Sequence, residues 1–162
     1  RTFIPHPSPQ NMQYTIPTFT SLDAVEASIY GYQKKKRKIE NELETQRIAY
    51  EEFMETTQKL KGLYTFQTTT ANGLKSLLEQ SGQIPQQQPR RQTKINSLVI
   101  AASKTNVQSL KYTEDIRLDL EFELDCLEKQ EASINDVLTQ LAARKKELEK
   151  EAGITPEEQP AP

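Results

Sequence analysis

The sequence predicts an all-α fold, a long antiparallel α-helical hairpin or coiled coil that follows an extended, Pro-rich N-terminal arm. Apolar residues recur at alternating spacings of three and four from Leu22 to Leu78, and again from Leu110 to Leu148. This spacing keeps a narrow apolar seam turned towards one partner helix. The two blocks have similar lengths, and a polar segment with two prolines separates them. A short connector between equal helices is typical of an antiparallel pair.

Composition agrees with a two-helix seam and excludes several classes of protein. Only 35 % of the 162 residues are hydrophobic, 27 % are charged and Trp is absent, which is too little apolar material for a multilayer core. The net charge of −2 does not indicate a nucleic-acid-binding domain, because these usually carry a strongly basic face. The single cysteine excludes an internal disulfide framework.

The N-terminal arm is assigned to residues 1–19, where four prolines prevent a regular helix. Two interpretations remain open for this arm. It is either a disordered leader or an extended segment whose aromatic residues dock on a neighbour, since solvating tails usually contain few aromatics. The acidic, Pro-rich tail at 153–162 is interpreted as a disordered end or a link to further sequence.

Helix A is predicted at 20–80, with the hydroxyl of Thr20 or Ser21 as its N-terminal cap. Gly62 and Gly73 each weaken it by about 1 kcal/mol relative to Ala. The heptad register nevertheless continues in phase beyond Gly73, which favours one uninterrupted helix, because a loop has no reason to preserve phase.

A Pro- and Gln-rich connector is predicted at 81–93, and helix B follows at 94–152. Gly153 can adopt the left-handed conformation that ends a helix. In an antiparallel hairpin, the numbers of paired seam residues should sum to roughly 170–177, given the equal rise per residue of both helices. This relation predicts that Gln46 pairs with Glu131, and the alternative is that these positions lie at a solvent-accessible edge.

Large apolar side chains dominate the predicted seam, and they come from both helices. The helix-seam residues are Leu22, Val25, Ile29, Tyr32, Ile39, Leu43, Tyr50, Phe53, Leu60, Tyr64, Leu120, Leu124, Leu127, Ile134, Leu138, Leu141 and Leu148.

The sequence contains no recognisable catalytic residues, so we expect a protein that is not an enzyme. The only histidine, His6, lies in the arm with no cysteine nearby in sequence. The five glycines are isolated and form no phosphate-binding loop. A di-metal bundle would need Glu-x-x-His pairs, which neither helix contains. We therefore assign no catalytic, cofactor-binding or metal-binding residue.

A basic run on helix A is the densest cluster of charge, and it comprises Lys34, Lys35, Lys36, Arg37 and Lys38. The simplest interpretation is a solvated helix face neutralised by the glutamates that follow. Nuclear import and contact with an anionic lipid or nucleic acid are the alternatives.

A second apolar set lies outside the seam, where a lone two-helix hairpin has nothing to cover it. We predict that these residues bind a partner helix, because exposed apolar clusters often mark interaction sites. The alternative is that they are scattered apolar residues of the kind that protein surfaces tolerate. The partner-binding residues are Ile48, Met54, Leu118, Phe122 and Cys126.

These patterns together favour a non-catalytic, structural coiled-coil subunit that mediates protein–protein assembly within a larger multi-subunit complex. We expect its partners to be other helical subunits, in a hetero-oligomer rather than a homodimer, and we expect no small-molecule substrate, nucleic acid or membrane. The alternatives are a membrane-surface-binding helical dimer that uses the basic run, or a nuclear scaffold protein. An intracellular location, cytoplasmic or nuclear, is expected, with an organelle left open because the sequence begins without Met.

Overall fold

Three α-helices make up almost all of the regular structure in a computed structural model that describes residues 14–153. Helix α1 spans Leu22–Gln80, α2 spans Pro89–Ser109 and α3 spans Glu114–Glu151, with a single 3-10 turn at Pro85–Gln87. No strand occurs within the described residues, so the predicted all-α class is confirmed. Most of the predicted arm and tail, residues 1–13 and 154–162, lies outside the described residues.

Helix α1 runs for 59 residues without a break, through both Gly62 and Gly73. The hydroxyl of Ser21 accepts a hydrogen bond from the amide of Ala24 at 3.3 Å and so caps its first turn. At the other end, Gly82 adopts a φ of +69°, a conformation that is open to glycine at little cost. The cap and the glycine explain where the helix begins and ends.

Helix α2 begins at Pro89, five residues before the predicted start of helix B. Proline lacks an amide hydrogen, but the first residues of a helix have no intrahelical acceptor for that hydrogen anyway, and its fixed φ suits a helix. The predicted connector, 81–93, included Pro89, whereas Pro89 stands at the start of α2.

Helix B is not continuous, since residues 110–113 separate α2 from α3. The amides of Leu110 and Tyr112 bond three residues back, to Val107 and Ser109, so the chain tightens as it leaves α2. The hydroxyl of Thr113 then accepts the amide of Ile116 at 3.4 Å. Two acidic residues follow Thr113 in the first turn of α3, where the helix dipole favours negative charge. This strong start signal ends the register that the sequence analysis carried through 94–152.

Two compact units divide the described residues. The first, here called the terminal unit, contains residues 14–44 and 124–153, and the second, the mid-chain unit, contains residues 45–123. None of the helices within the described residues is long and apolar enough to cross a membrane.

The core of the terminal unit lies between the first part of α1 and the last part of α3. Val25 and Leu43 from α1 and Leu141 from α3 have at most 1 % of their surface exposed. At the edge, the ammonium of Lys145 lies 3.0 Å from the carboxylate of Glu26, and this ion pair raises the pKa of Lys145 through the hydrogen bond to Glu26.

The core of the mid-chain unit combines apolar and polar side chains. Ile95 of α2 is only 1 % exposed. The ring of Phe53 packs against that of Tyr112, with centroids 5.3 Å apart. Gln67 and Thr105 are both buried, and the hydroxyl of Thr105 donates a hydrogen bond of 2.9 Å to the amide oxygen of Gln67. This pairing satisfies two polar groups that would otherwise destabilise the core.

Candidate protein-interaction surfaces

The predicted seam residues are mostly shielded from solvent, to different degrees. Val25, Leu43, Phe53, Leu141 and Leu148 are buried. Every other seam residue is half-buried apart from one. That one is Tyr64, which has 42 % of its surface exposed.

Polar contacts next to the seam join α1 to α3 within the mid-chain unit. Gln46 donates its side-chain amide to Glu123, so the predicted pairing with Glu131 is wrong. The hydroxyl of Tyr50 donates to Glu121 at 2.8 Å. This hydrogen bond is the main cause that lowers the pKa of Glu121, and it also raises the pKa of the tyrosine.

The basic run is only partly available to a partner. Lys36 is half-buried, with its ammonium 3.8 Å from Glu40, and Lys38 lies 4.0 Å from Glu42. The ammonium of Lys35 lies 4.5 Å from the centroid of the Tyr32 ring. Within residues 14–153, only the remaining two cations of the run, at positions 34 and 37, are exposed and have no ion pair, hydrogen bond or ring contact.

The predicted partner-binding residues are exposed, except for Cys126, which is half-buried. The exposed fractions are 47 % for Ile48, 39 % for Met54, 59 % for Leu118 and 68 % for Phe122.

These residues do not form one patch. Ile48 lies between two residues of α1 that bond to α3, and Phe122 lies between the two residues of α3 that accept those bonds. When the residues on both sides of a helical position face the partner helix, the side chain at that position points to the opposite face. Ile48 and Phe122 therefore belong to two separate outward faces of the mid-chain unit.

Exposed apolar side chains are concentrated in the mid-chain unit. Of the large hydrophobic residues that the described part of the chain exposes, all but Tyr14 and Tyr30 lie within 45–123. On α2, Ile100 and Val107 are 57 % and 64 % exposed and are seven residues apart, so they share a helix face. On α1, Phe66 is 63 % exposed. Large uncovered side chains on successive helices are typical of a surface that another protein covers.

A strap without regular secondary structure, residues 14–20, lies against α3 in the terminal unit, and its anchors were not predicted from the sequence. The side chain of Gln140 donates to the carbonyl of Tyr14 at 2.7 Å and accepts the amide of Ile16 at 3.3 Å. The guanidinium of Arg144 donates twice to the carbonyl of Phe19, at 3.0 and 2.9 Å. Because both anchors bind main-chain groups, no pattern of side chains in the strap could have revealed them.

Next to the strap, the terminal unit has an open groove of about 630 Å³. Tyr14, Tyr32 and Val137 contribute to its walls, together with three lysines and one glutamate. Lysine 129 in this groove lies 2.6 Å from the carboxylate of Asp125, so part of its charge is already neutralised.

Within residues 14–153, no three His, Cys, Asp or Glu side chains lie close enough together to hold a metal ion. The described surfaces thus offer apolar faces and single charges for contact with another molecule. Comparison of the chain with protein-family models, with curated proteins and with solved structures finds no match.

Proposed function

We propose that the protein is a non-catalytic structural subunit, an antiparallel helical hairpin of coiled-coil type that joins other helical subunits in a larger assembly. The observation that carries this proposal is the concentration of exposed apolar side chains in the mid-chain unit. Such surface is unfavourable in water, and covering it stabilises a complex by about 25 cal/mol per Å².

Support for the hairpin comes from the order of the contacts within each unit. In the mid-chain unit, Gln46, Tyr50 and Gln67 follow one another along α1, while their partners have the falling numbers 123, 121 and 105. In the terminal unit, Glu26 pairs with Lys145. Rising numbers on one helix against falling numbers on the next are what an antiparallel pair requires.

The coiled-coil character is supported by the seam, because its buried members recur at heptad spacings. The polar pair Gln67 and Thr105 interrupts this seam with a satisfied hydrogen bond. Buried polar pairs of this kind can fix the register of a coiled coil at some cost in stability.

The test compares two double variants that add the same charge at the same spacing. Ile100→Asp/Val107→Asp places two carboxylates on the exposed apolar face of α2. The matched control, Ala132→Asp/Thr139→Asp, places them on exposed positions of α3 in the terminal unit. Tagged chains are purified from the native source, and the proteins that accompany them are quantified by mass spectrometry.

We expect the wild-type chain and the control to retain the same accompanying helical proteins, and the α2 variant to lose them. Circular dichroism should show equal helix content for all three chains, because the changed positions are exposed. The proposal fails if the wild type retains no protein above background, or if the α2 variant retains the same set as the control.

A further inference from the structure

We infer that a second copy of this chain docks on the outward face of α3 between Asp115 and Phe122, through the outward face of its own α1 between Tyr30 and Arg37. This inference rests on the proposed role in assembly, because it names the occupant of one apolar face of the mid-chain unit. It adds contacts between copies to the contacts with other subunits.

The receiving face combines apolar groups with carboxylates that have no partner. Leu118 and Phe122 are 59 % and 68 % exposed. Asp115 and Asp119 are exposed beside them and make no ion pair or hydrogen bond within the described residues. Positions 115, 118, 119 and 122 share one side of a helix. We call this set the acidic face.

The acidic face points away from α1 of its own unit. Glu121 and Glu123, on either side of Phe122, bind side chains of α1, and Leu120 is half-buried. The acidic face is therefore open to another molecule, and it offers that molecule both apolar contact and negative charge.

The docking face is on α1 in the terminal unit, and its chemistry is opposite in charge. Tyr30 is 70 % exposed, the most exposed of the large hydrophobic residues in the described chain. Lys34 and Arg37 are exposed and are the two cations of the basic run without a partner within residues 14–153. Spacings of four and three place these three residues on one side of α1. We call them the basic face.

An antiparallel arrangement matches the two faces residue by residue. If Tyr30 packs on Phe122, then Lys34 lies near Asp119 and Arg37 lies near Asp115, because both sets extend over seven residues of a helix. A parallel arrangement would set the tyrosine against a carboxylate instead. Opposite charges at the rim favour this register and disfavour others.

The unpaired carboxylates of the acidic face favour a second copy of the chain over an uncharged or acidic helix as its partner. An apolar partner would leave Asp115 and Asp119 desolvated without a cation, and an acidic partner would be repelled. Because each copy carries both faces, the contact is heterologous, and each added copy leaves one face free for the next. Association should therefore extend beyond dimers as concentration rises.

The experiment measures the mass of the full chain by sedimentation velocity from about 1 to about 100 µM, a range that detects dissociation constants in the micromolar region. We expect the average mass to rise with concentration. It should fall when NaCl is raised from about 50 to about 500 mM, because salt screens exposed charges. A wild-type chain that stays monomeric over the whole range overturns the inference and leaves the acidic face to a basic helix of another protein.

Charge variants then test the two faces separately. The first variant is Lys34→Glu/Arg37→Glu on the basic face. The second is Asp115→Asn/Asp119→Lys on the acidic face, where Asn keeps the size of the aspartate side chain and removes its charge. We expect each variant alone to associate at least about tenfold more weakly than the wild type.

An equal mixture of the two charge variants should associate again, because it brings an unchanged basic face together with an unchanged acidic face. If the mixture stays monomeric while both variants keep the helix content of the wild type, the inference is wrong. If either variant loses helix content, Leu118→Ser/Phe122→Ser replaces it as the test, and self-association that survives this change also overturns the inference.

These outcomes are separate from those of the proposed function. Loss of other subunits in the Ile100→Asp/Val107→Asp experiment does not depend on contacts between copies. A chain that self-associates but retains no other protein would contradict the proposed function alone.

Discussion

The terminal unit and the mid-chain unit both pack α1 against a helix that follows later in the chain, yet they treat their apolar side chains differently. The terminal unit leaves only two large hydrophobic residues exposed among those described, Tyr14 and Tyr30. It also has the strap, which Gln140 and Arg144 hold against α3. The mid-chain unit has no such segment within the described residues, and many of its large apolar side chains face solvent.

Under the proposed role in assembly, this difference separates stability from recognition. Burial of a leucine such as Leu141 stabilises the terminal unit without help from another chain. An exposed phenylalanine such as Phe122 contributes little to the fold of the free chain, and contributes only when a partner covers it. Substitutions in each unit test this difference between buried and exposed apolar side chains.

The largest expected effect is the loss of a buried leucine from the terminal unit. Leu141→Ala should lower the free energy of unfolding by about 3 kcal/mol, because it leaves a cavity next to a side chain that was 1 % exposed. The matched change Leu118→Ala, on the exposed side of α3, should stay within about 0.5 kcal/mol of the wild type. Urea denaturation followed by circular dichroism measures both. Equal losses would show that Leu118 is covered in the free chain.

In the mid-chain unit, the buried hydrogen bond between Thr105 and Gln67 should give the next largest effect. Thr105→Val keeps the shape but leaves the amide of Gln67 buried without its partner, which should cost about 1–3 kcal/mol. Gln67→Leu/Thr105→Val removes both polar groups and should recover most of this loss. A double variant that is less stable than Thr105→Val would contradict this account of the pair.

The third prediction concerns how strongly Arg144 holds the strap against α3. Arg144→Met removes two charge-assisted hydrogen bonds to the carbonyl of Phe19 and should lower the local stability of the strap by about 1–2 kcal/mol. Hydrogen exchange should show faster exchange at the amide of Ile16. The control Lys146→Met changes an exposed residue two positions away and should leave that amide unaffected. If the Ile16 amide exchanges at the same rate in Arg144→Met and Lys146→Met, Gln140 alone holds the strap.

The smallest effect is a pH dependence in the mid-chain unit. The bond to Glu121 raises the pKa of Tyr50, so its stabilising contribution is present below the ordinary tyrosine pKa and is lost as pH rises through the raised value. The same bond lowers the pKa of Glu121, so that contribution is lost as pH falls through the lowered value.

An absorbance titration of the chain should therefore contain a late-ionising component from Tyr50. Tyr50→Phe should remove this component and leave the rest of the curve unchanged. A late component that persists in the variant would assign it to another tyrosine.

The all-α class was predictable because heptad spacing depends only on the order of apolar residues. The same pattern runs through Gly62 and Gly73, where α1 is continuous. The break before α3 was missed because the seam was followed across Thr113, although this residue and the two acids after it form a helix start. Heptad spacing gives no information on helix caps, so the predicted helix B ran straight through the helix start at Thr113.

Other features could not be predicted from the sequence for physical reasons. Gln46 and Glu123 have numbers that sum to 169, close to the sums of 171 and 172 for the pairs Tyr50–Glu121 and Gln67–Thr105, so the break before α3 barely shifts the register. Spacing gives only a range of sums, and the partner within that range depends on side-chain contacts. The separate faces of Ile48 and Phe122 follow from contacts between two helices, which spacing along one helix does not describe.

Recognition of the strap through its main chain has a consequence for how the protein tolerates mutation. Gln140 and Arg144 bind carbonyl and amide groups that every residue other than proline carries alike. The strap should therefore accept many different side chains at its five exposed positions in a saturation mutagenesis screen, and fewer at Ile16 and Phe19, which are half-buried. Its two anchors on α3 should accept few. A short foreign peptide that keeps apolar residues at positions 16 and 19 should then replace residues 14–20 and be held in place, which makes this edge of the terminal unit a suitable position for an epitope or label.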